Sequence, residues 1–150
     1  MARVRLAESP KDRAACLRLR WTVFVEEQGV PPSLERDGHD ESSAPTLHAL
    51  AEIDSARGDP VPAGAGRCIF VAPGVAKLER MAVVDDARGR GLGALLLAFL
   101  ESEARMRGAV RFTLSAQLRA RGFYERAGYR AVGKVFQDAG IPHIAMERDA

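Results

Sequence analysis

The sequence of 150 residues predicts a single α/β domain, built as a mixed β-sheet with helices packed on it. Strand patterns alternate with three helical patterns along the chain, and a glycine-rich turn joins one strand directly to the longest helical pattern. Hydrophobic residues make up 47% of the chain, which at this length is enough to bury a core without disulfides.

The first strand and the first helix are predicted from the N-terminal segment. Polar and apolar residues alternate over residues 3–7, as they do in a strand. Ser9 is a favourable N-cap, and Pro10 suits the first position of a helix. The helical pattern then continues to residue 28, with an apolar stripe formed by Ala15, Cys16, Leu19, Val23 and Phe24.

A loop, a β-hairpin and a βαβ unit follow. Residues 29–45 are rich in turn formers and acids and predict a loop, and the strands at 46–53 and 65–72 flank a polar hairpin turn. The strand at 76–84 leads through "DDARGRG" into a helix whose buried face is predicted to hold Leu92, Leu95, Leu96, Phe99 and Met106. The rest of the chain predicts strand, short helix, strand and strand at 110–116, 117–128, 129–136 and 143–147.

Composition excludes several classes of protein. The net charge of +2 is too small to indicate nucleic acid or an anionic membrane as the main partner. The N-terminus lacks the apolar core of a signal peptide, and the longest apolar run, Ala94–Leu100, is too short to span a bilayer, so we expect a cytoplasmic protein. Cys16 and Cys68 are expected to be buried thiols, and no metal is expected because neither cysteines nor histidines show ligand spacing.

The glycine-rich turn predicts a site for an anion. It contains Arg88, Gly89, Arg90, Gly91 and Gly93 directly before a helix. The free N–H groups and the dipole of a helix N-terminus attract negative charge, and glycines let an oxyanion approach the main chain. A P-loop is excluded because G-K-[ST] is absent, and a dinucleotide site is rejected because the next strand ends "LSAQ" without the required acid. A plain solvated turn is the alternative.

Two motifs together resemble a known family. "RGRGLG" at 88–93 looks like the R/Q-x-x-G-x-G/A motif of the GCN5-related N-acetyltransferases (GNAT), and "FYERAGY" at 123–129 is similar to a later signature of that family. The resemblance covers essentially the whole chain and is closest to the ElaA-like subgroup, through "RWTVFVEEQ", "LERDGHDES" and "GIPHIAM". It implies a splayed sheet that holds acetyl-CoA between the strands at 77–84 and 110–115.

The resemblance also implies which residues bind the cofactor. The pyrophosphate of acetyl-CoA would bind the amides of Gly89, Arg90, Gly91, Leu92, Gly93 and Ala94, beside the Arg88 side chain. Main-chain N–H groups near Met81, Ala82 and Val83 would hold the pantetheine and the thioester oxygen, acting as an oxyanion site. Homodimers are common in this fold, so a dimer is one expected assembly.

Acetyl transfer to an amine requires a neutral nucleophile and a protonated thiol leaving group. Tyr124 matches the family tyrosine that gives a proton to the departing thiolate, and a core position beside Phe123 is the alternative. Glu79 is the first candidate for the general base, directly or through a water. A salt bridge from Glu79 to Lys77 or Arg80 is an equal alternative.

Further acidic and histidine candidates are weaker. Glu26 and Glu27 are second candidates for the base, although a solvated helix end explains each of them better. His143 could border the acceptor pocket or pack at a strand end. The acidic loop contains four carboxylates: Glu35, Asp37, Asp40 and Glu41. Such a loop is by default solvated, and recognition of a cationic acceptor is the alternative.

A second resemblance gives the alternative enzyme. Acyl-homoserine-lactone synthases share this fold and have a similar order of Arg20, Phe24, Glu35, Asp37, Asp40, Arg67 and Glu79, but they are longer and lack the two motifs above. The sequence therefore predicts an acetyl-CoA-dependent N-acetyltransferase acting by direct attack of a small-molecule or peptide primary amine. A lactone-synthase-like acyltransferase and a non-catalytic acyl-CoA sensor are the alternatives.

Overall fold

Seven strands form one mixed sheet. The computed structural model describes residues 1–150, and its strands are β1 (Ala2–Leu6), β2 (Leu47–Asp54), β3 (Pro60–Ala72), β4 (Val75–Val83), β5 (Arg111–Gln117), β6 (Arg130–Asp138) and β7 (Ile141–Asp149). Their order across the sheet is β1-β2-β3-β4-β5-β7-β6. Only the β4–β5 pair is parallel. The predicted α/β fold with a mixed sheet is confirmed.

The helices are α1 (Pro10–Arg20), α2 (Pro32–Glu35), α3 (Leu92–Met106) and α4 (Arg121–Arg126). The Ser9 hydroxyl caps α1 by accepting from the Asp12 N–H at 3.1 Å. The helical path predicted to reach residue 28 changes at its end into a π-helical segment, Trp21–Glu27. The region predicted as a plain loop contains α2 and one turn of 3₁₀ helix, Gly38–Asp40.

The two faces of the sheet bury separate cores. On one face α3 packs Leu92, Leu96 and Leu100 against strand residues, and on the other α1 packs with Leu50 and Ala65. The stripe predicted for α3 is wrong at two positions, since Leu95 is 46% and Met106 is 70% exposed. The buried arc is instead completed by Leu97, Glu101 and Ala104, because the helix is rotated toward that side where it meets the sheet. Cys16 and Cys68 are buried free thiols, as predicted.

Strands β4 and β5 separate along their length and open the sheet. They pair only at Val75–Arg111, Ala76–Phe112 and Lys77–Thr113. Beyond these pairs β4 bends at a bulge, where the register to β3 shifts and Arg80 has a φ of +57°. A bulge bends its strand and increases the local twist. The result is a wedge between β4 and β5, as the resemblance implied.

Candidate active site

A cleft of about 670 Å³ occupies the wedge between β4 and β5. Its walls come from the second half of β4, the end of β5, the π-helical segment, α4 and the turn between β6 and β7. Hydrophobic residues line about half of it, 14 of 27. Apolar walls with a few polar groups are typical of small-molecule sites.

The register of β5 divides the cleft between the two faces of the sheet. Phe112, Leu114 and Ala116 point into the core under α3, so the alternate residues Ser115 and Gln117 point to the opposite face. There Gln117 Nε2 donates to Gln28 Oε1 at 2.7 Å, just beyond the π-helical segment. We call the two sides the α3 face and the π face of the cleft.

The glycine-rich turn leaves six consecutive amides without a partner. None of the N–H groups of residues 89–94 donates to another group of the protein, and α3 has no side-chain N-cap. Gly89 and Gly91 have φ values of +79° and +78°, and a Cβ at either would meet no atom within 4 Å. Gly93 has a different reason to be glycine, because its Cβ would lie 3.3 Å from the Phe123 ring.

The Arg88 side chain is tied to the π-helical segment. Its two terminal nitrogens donate to the two carboxylate oxygens of Glu27, each at 2.6 Å, and its Nε donates to the Val83 carbonyl at 2.9 Å. The hydrogen bonds from Arg88 lower the pKa of Glu27. Glu27 is therefore ion-paired rather than simply solvated, whereas Glu26 is exposed and lies outside the cleft lining. Arg90 is exposed beside the turn.

Tyr124 presents an unpaired hydroxyl to the cleft. Its ring, on α4, meets Phe123 and Tyr129 edge to face with centroid separations of 5.0 and 6.0 Å. Burial raises the pKa of Tyr124 to about 12, so its phenol stays protonated at neutral pH. The neighbouring Tyr129 differs, because its hydroxyl donates to Glu101 Oε2 at 2.7 Å within the core.

The carboxylates predicted in a solvated loop are instead held by arginines. Glu35 and Asp40 are buried, and Arg20 donates to them at 2.9 and 2.6 Å. Arg67 donates to Asp37 at 2.7 Å. Of the four predicted residues, only Glu41 is exposed. The solvated loop was the wrong expectation, because the sequence does not show that arginines from α1, β3 and β4 reach these acids.

We call this group the arginine–carboxylate cluster, and its members are Arg20, Arg67, Arg80, Glu35, Asp37, Asp40 and Glu79. Burial alone would raise the pKa of Asp40, but hydrogen bonds from Arg20 and from the Asp37 N–H hold it well below its ordinary range.

The cluster contains six of the seven residues on which the lactone-synthase resemblance was based, and the seventh, Phe24, lines the cleft. In this protein those six residues form one ion-pair network.

Glu79 lies where the cluster meets the cleft. Its Oε1 accepts from Arg67 Nε at 2.8 Å, and its Oε2 lies 3.6 Å from Lys77 Nζ. The side chain is 14% exposed and lines the cleft on the π face. Of the two ion-pair partners considered from the sequence, Lys77 is present, while Arg80 contacts Glu35 and Asp37 instead. The principal partner, Arg67, was not anticipated.

His143 is the one histidine that lines the cleft. Its Nδ1 lies 2.7 Å from the Ile141 carbonyl oxygen, and its ring stacks on Phe136 with centroids 5.9 Å apart. His39 is exposed and His48 is buried elsewhere.

No group of three or more histidine, cysteine, aspartate or glutamate side chains is arranged to hold a metal ion. None of the helices combines the length and apolarity needed to cross a membrane.

Known proteins are similar to this chain in sequence and in architecture. The family model described as "Acetyltransferase (GNAT) domain" matches residues 55–150. The uncharacterized N-acetyltransferase YjcF of Bacillus subtilis is 36% identical over 145 residues, covering 96% of this chain and 97% of its own.

Two solved structures extend the comparison to the fold. Escherichia coli ElaA superposes with a TM-score of 0.84 at 25% identity, over 99% of both chains. An acyl-CoA N-acyltransferase from Pseudomonas aeruginosa superposes with a TM-score of 0.77 at 30% identity, over 99% of this chain and 98% of its own. With the family model covering most of the chain and a relative matching nearly all of it, this protein belongs to the GNAT family of acetyltransferases.

Proposed function

We propose that this protein transfers the acetyl group of acetyl-CoA to a primary amine, by direct attack of the amine on the thioester. The observation that carries the proposal is the row of unpaired amides at residues 89–94, placed at the mouth of a cleft that runs between β4 and β5. Membership of the GNAT family supports acyl transfer as the reaction type.

The pyrophosphate of the cofactor is assigned to the glycine-rich turn. Unpaired amides at a helix N-terminus bind phosphate oxygens directly, and the open space over Gly89 and Gly91 admits them to the main chain. Exposed Arg90 adds positive charge there. Arg88 has one N–H group left beyond its bonds to Glu27, Asp85 and Val83. If Arg88 releases Glu27, the N–H groups that bound Glu27 become available to phosphate as well.

The pantetheine and the thioester are assigned to the edge of β4 that faces the wedge. The pairing of β4 with β5 stops at Lys77, so the following residues have no partner strand on that side. Main-chain N–H groups near Met81, Ala82 and Val83 would bind the pantetheine amides and the thioester oxygen. A donor in place before the reaction stabilises the oxyanion of the tetrahedral intermediate.

Tyr124 is assigned as the acid for the leaving thiolate. It packs against the core of the α3 face, the side on which the cofactor phosphates would bind. Its hydroxyl has no competing hydrogen bond, and burial raises its pKa, so the phenol is protonated at neutral pH and has a proton to give to the sulfur. The C–S bond breaks, the sulfur receives the phenol proton, and the phenolate regains a proton released from the amine.

Glu79 is assigned to the acceptor side of the reaction. It lines the π face, opposite Tyr124, and its Oε2 lies within the reach of Lys77 alone among the ion-pair partners. We propose that it holds the attacking amine, directly or through a water. Direct attack is favoured over an acyl-enzyme because both cysteines are buried away from the cleft, and burial raises the pKa of each thiol to about 12.

The experiment supplies acetyl-CoA together with a panel of a polyamine, an amino acid, an aminoglycoside and a lysine peptide. Thiol release and the mass of the acetylated amine are both measured. Transfer to one of these amines is the expected result. CoA binding without transfer to any amine favours the non-catalytic sensor, and absence of CoA binding overturns the assignment of the glycine-rich turn.

A matched pair of glycine variants locates the phosphate site. Gly91→Val should abolish CoA binding, measured by calorimetry, because a branched side chain would fill the space above the amides. Gly58→Val is the control, since Gly58 also has a positive φ, +86°, and open space around it, but lies in the turn between β2 and β3. Equal effects of the two substitutions on CoA affinity would mean that backbone strain, and not the site, is responsible.

A further inference from the structure

We propose that His143 is the general base that takes the proton from the attacking amine. The inference rests on the proposed N-acetyltransferase function and adds to it a residue for which the sequence left pocket and packing roles equally open. It depends on three observations: the hydrogen bond that orients the imidazole, the face of the cleft on which the ring lies, and the engagement of the neighbouring carboxylates by arginines.

The hydrogen bond to the main chain fixes which nitrogen is free. A carbonyl oxygen can only accept, so the short Nδ1 contact to Ile141 at 2.7 Å requires the proton to be on Nδ1. In the neutral ring Nε2 then carries the lone pair. Stacking on Phe136 holds the plane of the ring. An imidazole held through one nitrogen, with the other free to accept, is the arrangement that general-base catalysis requires.

The register of the sheet places this ring on the acceptor side. His143 is directly opposite Gln117 in the β5–β7 ladder, and side chains of directly opposed residues share a face. Gln117 points to the π face, where it bonds Gln28, so His143 also points to the π face. Glu79 lies there too, whereas Tyr124 belongs to the α3 face. Base and acid thus lie on opposite sides of the wedge that would hold the thioester.

Arginines hold three of the four carboxylates that line the cleft. Glu27 accepts two hydrogen bonds from Arg88, Glu35 accepts from Arg20 and Arg80, and Glu79 accepts from Arg67. Each of these three carboxylates therefore already has an oxygen occupied by an arginine N–H. Asp138 has no such partner but is exposed at the β6–β7 turn, where water surrounds it. His143 differs from Glu27, Glu35 and Glu79, because a main-chain carbonyl orients its ring and its Nε2 has no hydrogen bond to another group of the protein.

The step balances without any further reactant. The neutral amine nitrogen bonds to the thioester carbon, and its N–H becomes strongly acidic as the nitrogen gains positive charge. Nε2 of His143 takes that proton while Glu79 holds the amine. The C–S bond then breaks, and the sulfur takes the proton of Tyr124. Proton return from the imidazolium to the phenolate through solvent restores both residues.

The test replaces His143 by asparagine, whose amide nitrogen can take the place of Nδ1 and keep the bond to Ile141 while removing Nε2. The rate of the chemical step, measured in a single turnover, should fall roughly 10²–10⁴-fold. Affinity for CoA should be unchanged. His39→Asn, at an exposed position outside the cleft, is the matched control and should retain the wild-type rate.

The pH profile separates a base from a residue that only packs. Charged residues from each neighbouring element line the same cleft as the ring: Lys77 and Glu79 on β4, Glu27 in the π-helical segment, Arg119 after β5 and Asp138 on β6. Because only a neutral imidazole can accept the proton of the amine, the wild-type rate should rise with pH in a step that this base produces. In His143→Asn this step should vanish, and added imidazole should restore part of the rate. Glu79→Gln should keep the step, because it leaves Nε2 in place.

Two outcomes would overturn the assignment. A single-turnover rate in His143→Asn equal to that of the wild type would show that Nε2 takes no part. A reduced rate with an unchanged pH profile and no imidazole rescue would make His143 a packing residue. Both outcomes require a wild-type protein that acetylates an amine, so they are distinguishable from failure of the proposed function, in which the wild type itself acetylates none.

Discussion

The arginine–carboxylate cluster and the glycine-rich turn are two polar regions next to β4, and they differ in how far their hydrogen bonds are satisfied. In the cluster every carboxylate accepts from at least one arginine, and Arg20 and Arg67 are each 1% exposed. In the turn six adjacent amides have no partner. The difference teaches that charge density alone does not show which groups are available: the donors of the cluster are used within the protein, whereas those of the turn are free to bind a ligand.

The same contrast recurs within a single motif. In "FYERAGY" the hydroxyl of Tyr129 is bonded to Glu101 in the core, while that of Tyr124 is unpaired and faces the cleft. Two tyrosines five positions apart therefore have different roles. Tyr129 joins α3 to the start of β6, and Tyr124 is left able to act on a ligand.

The largest effect is expected from the unpaired tyrosine. Tyr124→Phe keeps the ring and removes the hydroxyl, so folding should change little while kcat falls roughly 10²–10⁴-fold, the range for a lost acid–base group. The KM for acetyl-CoA should move far less. Single-turnover kinetics at several pH values measure the chemical step even where product release is slow.

Tyr129→Phe provides the comparison for that result. It removes a buried hydroxyl and leaves the Glu101 carboxylate without its bond, so it should lower the free energy of unfolding by about 1–3 kcal/mol. The rate of the chemical step should remain that of the wild type. If Tyr124→Phe reacts at the wild-type rate, Tyr124 is not the acid and its unpaired hydroxyl takes no part in catalysis.

Substitutions in the arginine–carboxylate cluster, whose hydrogen bonds are satisfied, should lower the stability of the fold. Asp40 accepts from Arg20 at 2.6 Å and from Arg67 at 3.0 Å. Asp40→Asn leaves both buried guanidinium groups short of negative charge, so the free energy of unfolding should fall by about 3–5 kcal/mol. Urea denaturation at pH 7 measures this loss. Glu41→Gln, at the adjacent exposed carboxylate, is the control and should change stability little.

The same carboxylate predicts how stability depends on pH. Because the pKa of Asp40 is lower in the folded protein than its ordinary 3.8, the unfolded chain binds a proton more readily as the solution becomes acidic. The stability from Asp40 is therefore complete above about pH 5 and is lost as the pH falls below 4 toward the folded pKa. Urea denaturation between pH 7 and pH 3 should show this decline, with a smaller slope in Asp40→Asn.

The smallest effect on stability is expected at the exposed pair of Arg88 and Glu27, which joins the glycine-rich turn to the π-helical segment. Their side chains are 38% and 39% exposed, so Glu27→Gln should change the free energy of unfolding by at most about 1 kcal/mol. Arg88→Ala should weaken CoA binding by about 1.5–3 kcal/mol, and less at high salt. Acetyl-pantetheine, which lacks the phosphates, should show little of that loss.

Glu27→Gln also tests whether Arg88 binds the phosphates of CoA. If Arg88 leaves Glu27 to bind phosphate, removing the competing carboxylate should tighten CoA binding, measured by calorimetry. Weaker CoA binding in Glu27→Gln, together with equal losses for both ligands in Arg88→Ala, would make Arg88 a structural link between the π-helical segment and the turn.

Much of the fold was predictable because local signals act over a few residues. Ser9 and Pro10 mark the start of α1, and the hairpin of β2 and β3 follows from its strand patterns and turn. The change to π-helical geometry at Trp21 and the exposure of Leu95 were not predictable, since each depends on how a helix meets the sheet. The acidic loop was misjudged for the same reason, because its arginine partners lie 15 to 45 positions away along the chain.

The sequence by itself determined that a glycine-rich turn precedes α3 and that an aromatic motif precedes β6, because such motifs depend on neighbouring residues alone. Only the tertiary structure decided which polar groups remain available. The separation of β4 from β5 depends on pairing across the sheet, and whether Glu79, Tyr124 or His143 has a free atom depends on partners from distant elements. Hydrogen bonds between distant residues form only in the folded chain, so the structure decides which of the candidates named from the sequence keep an atom free.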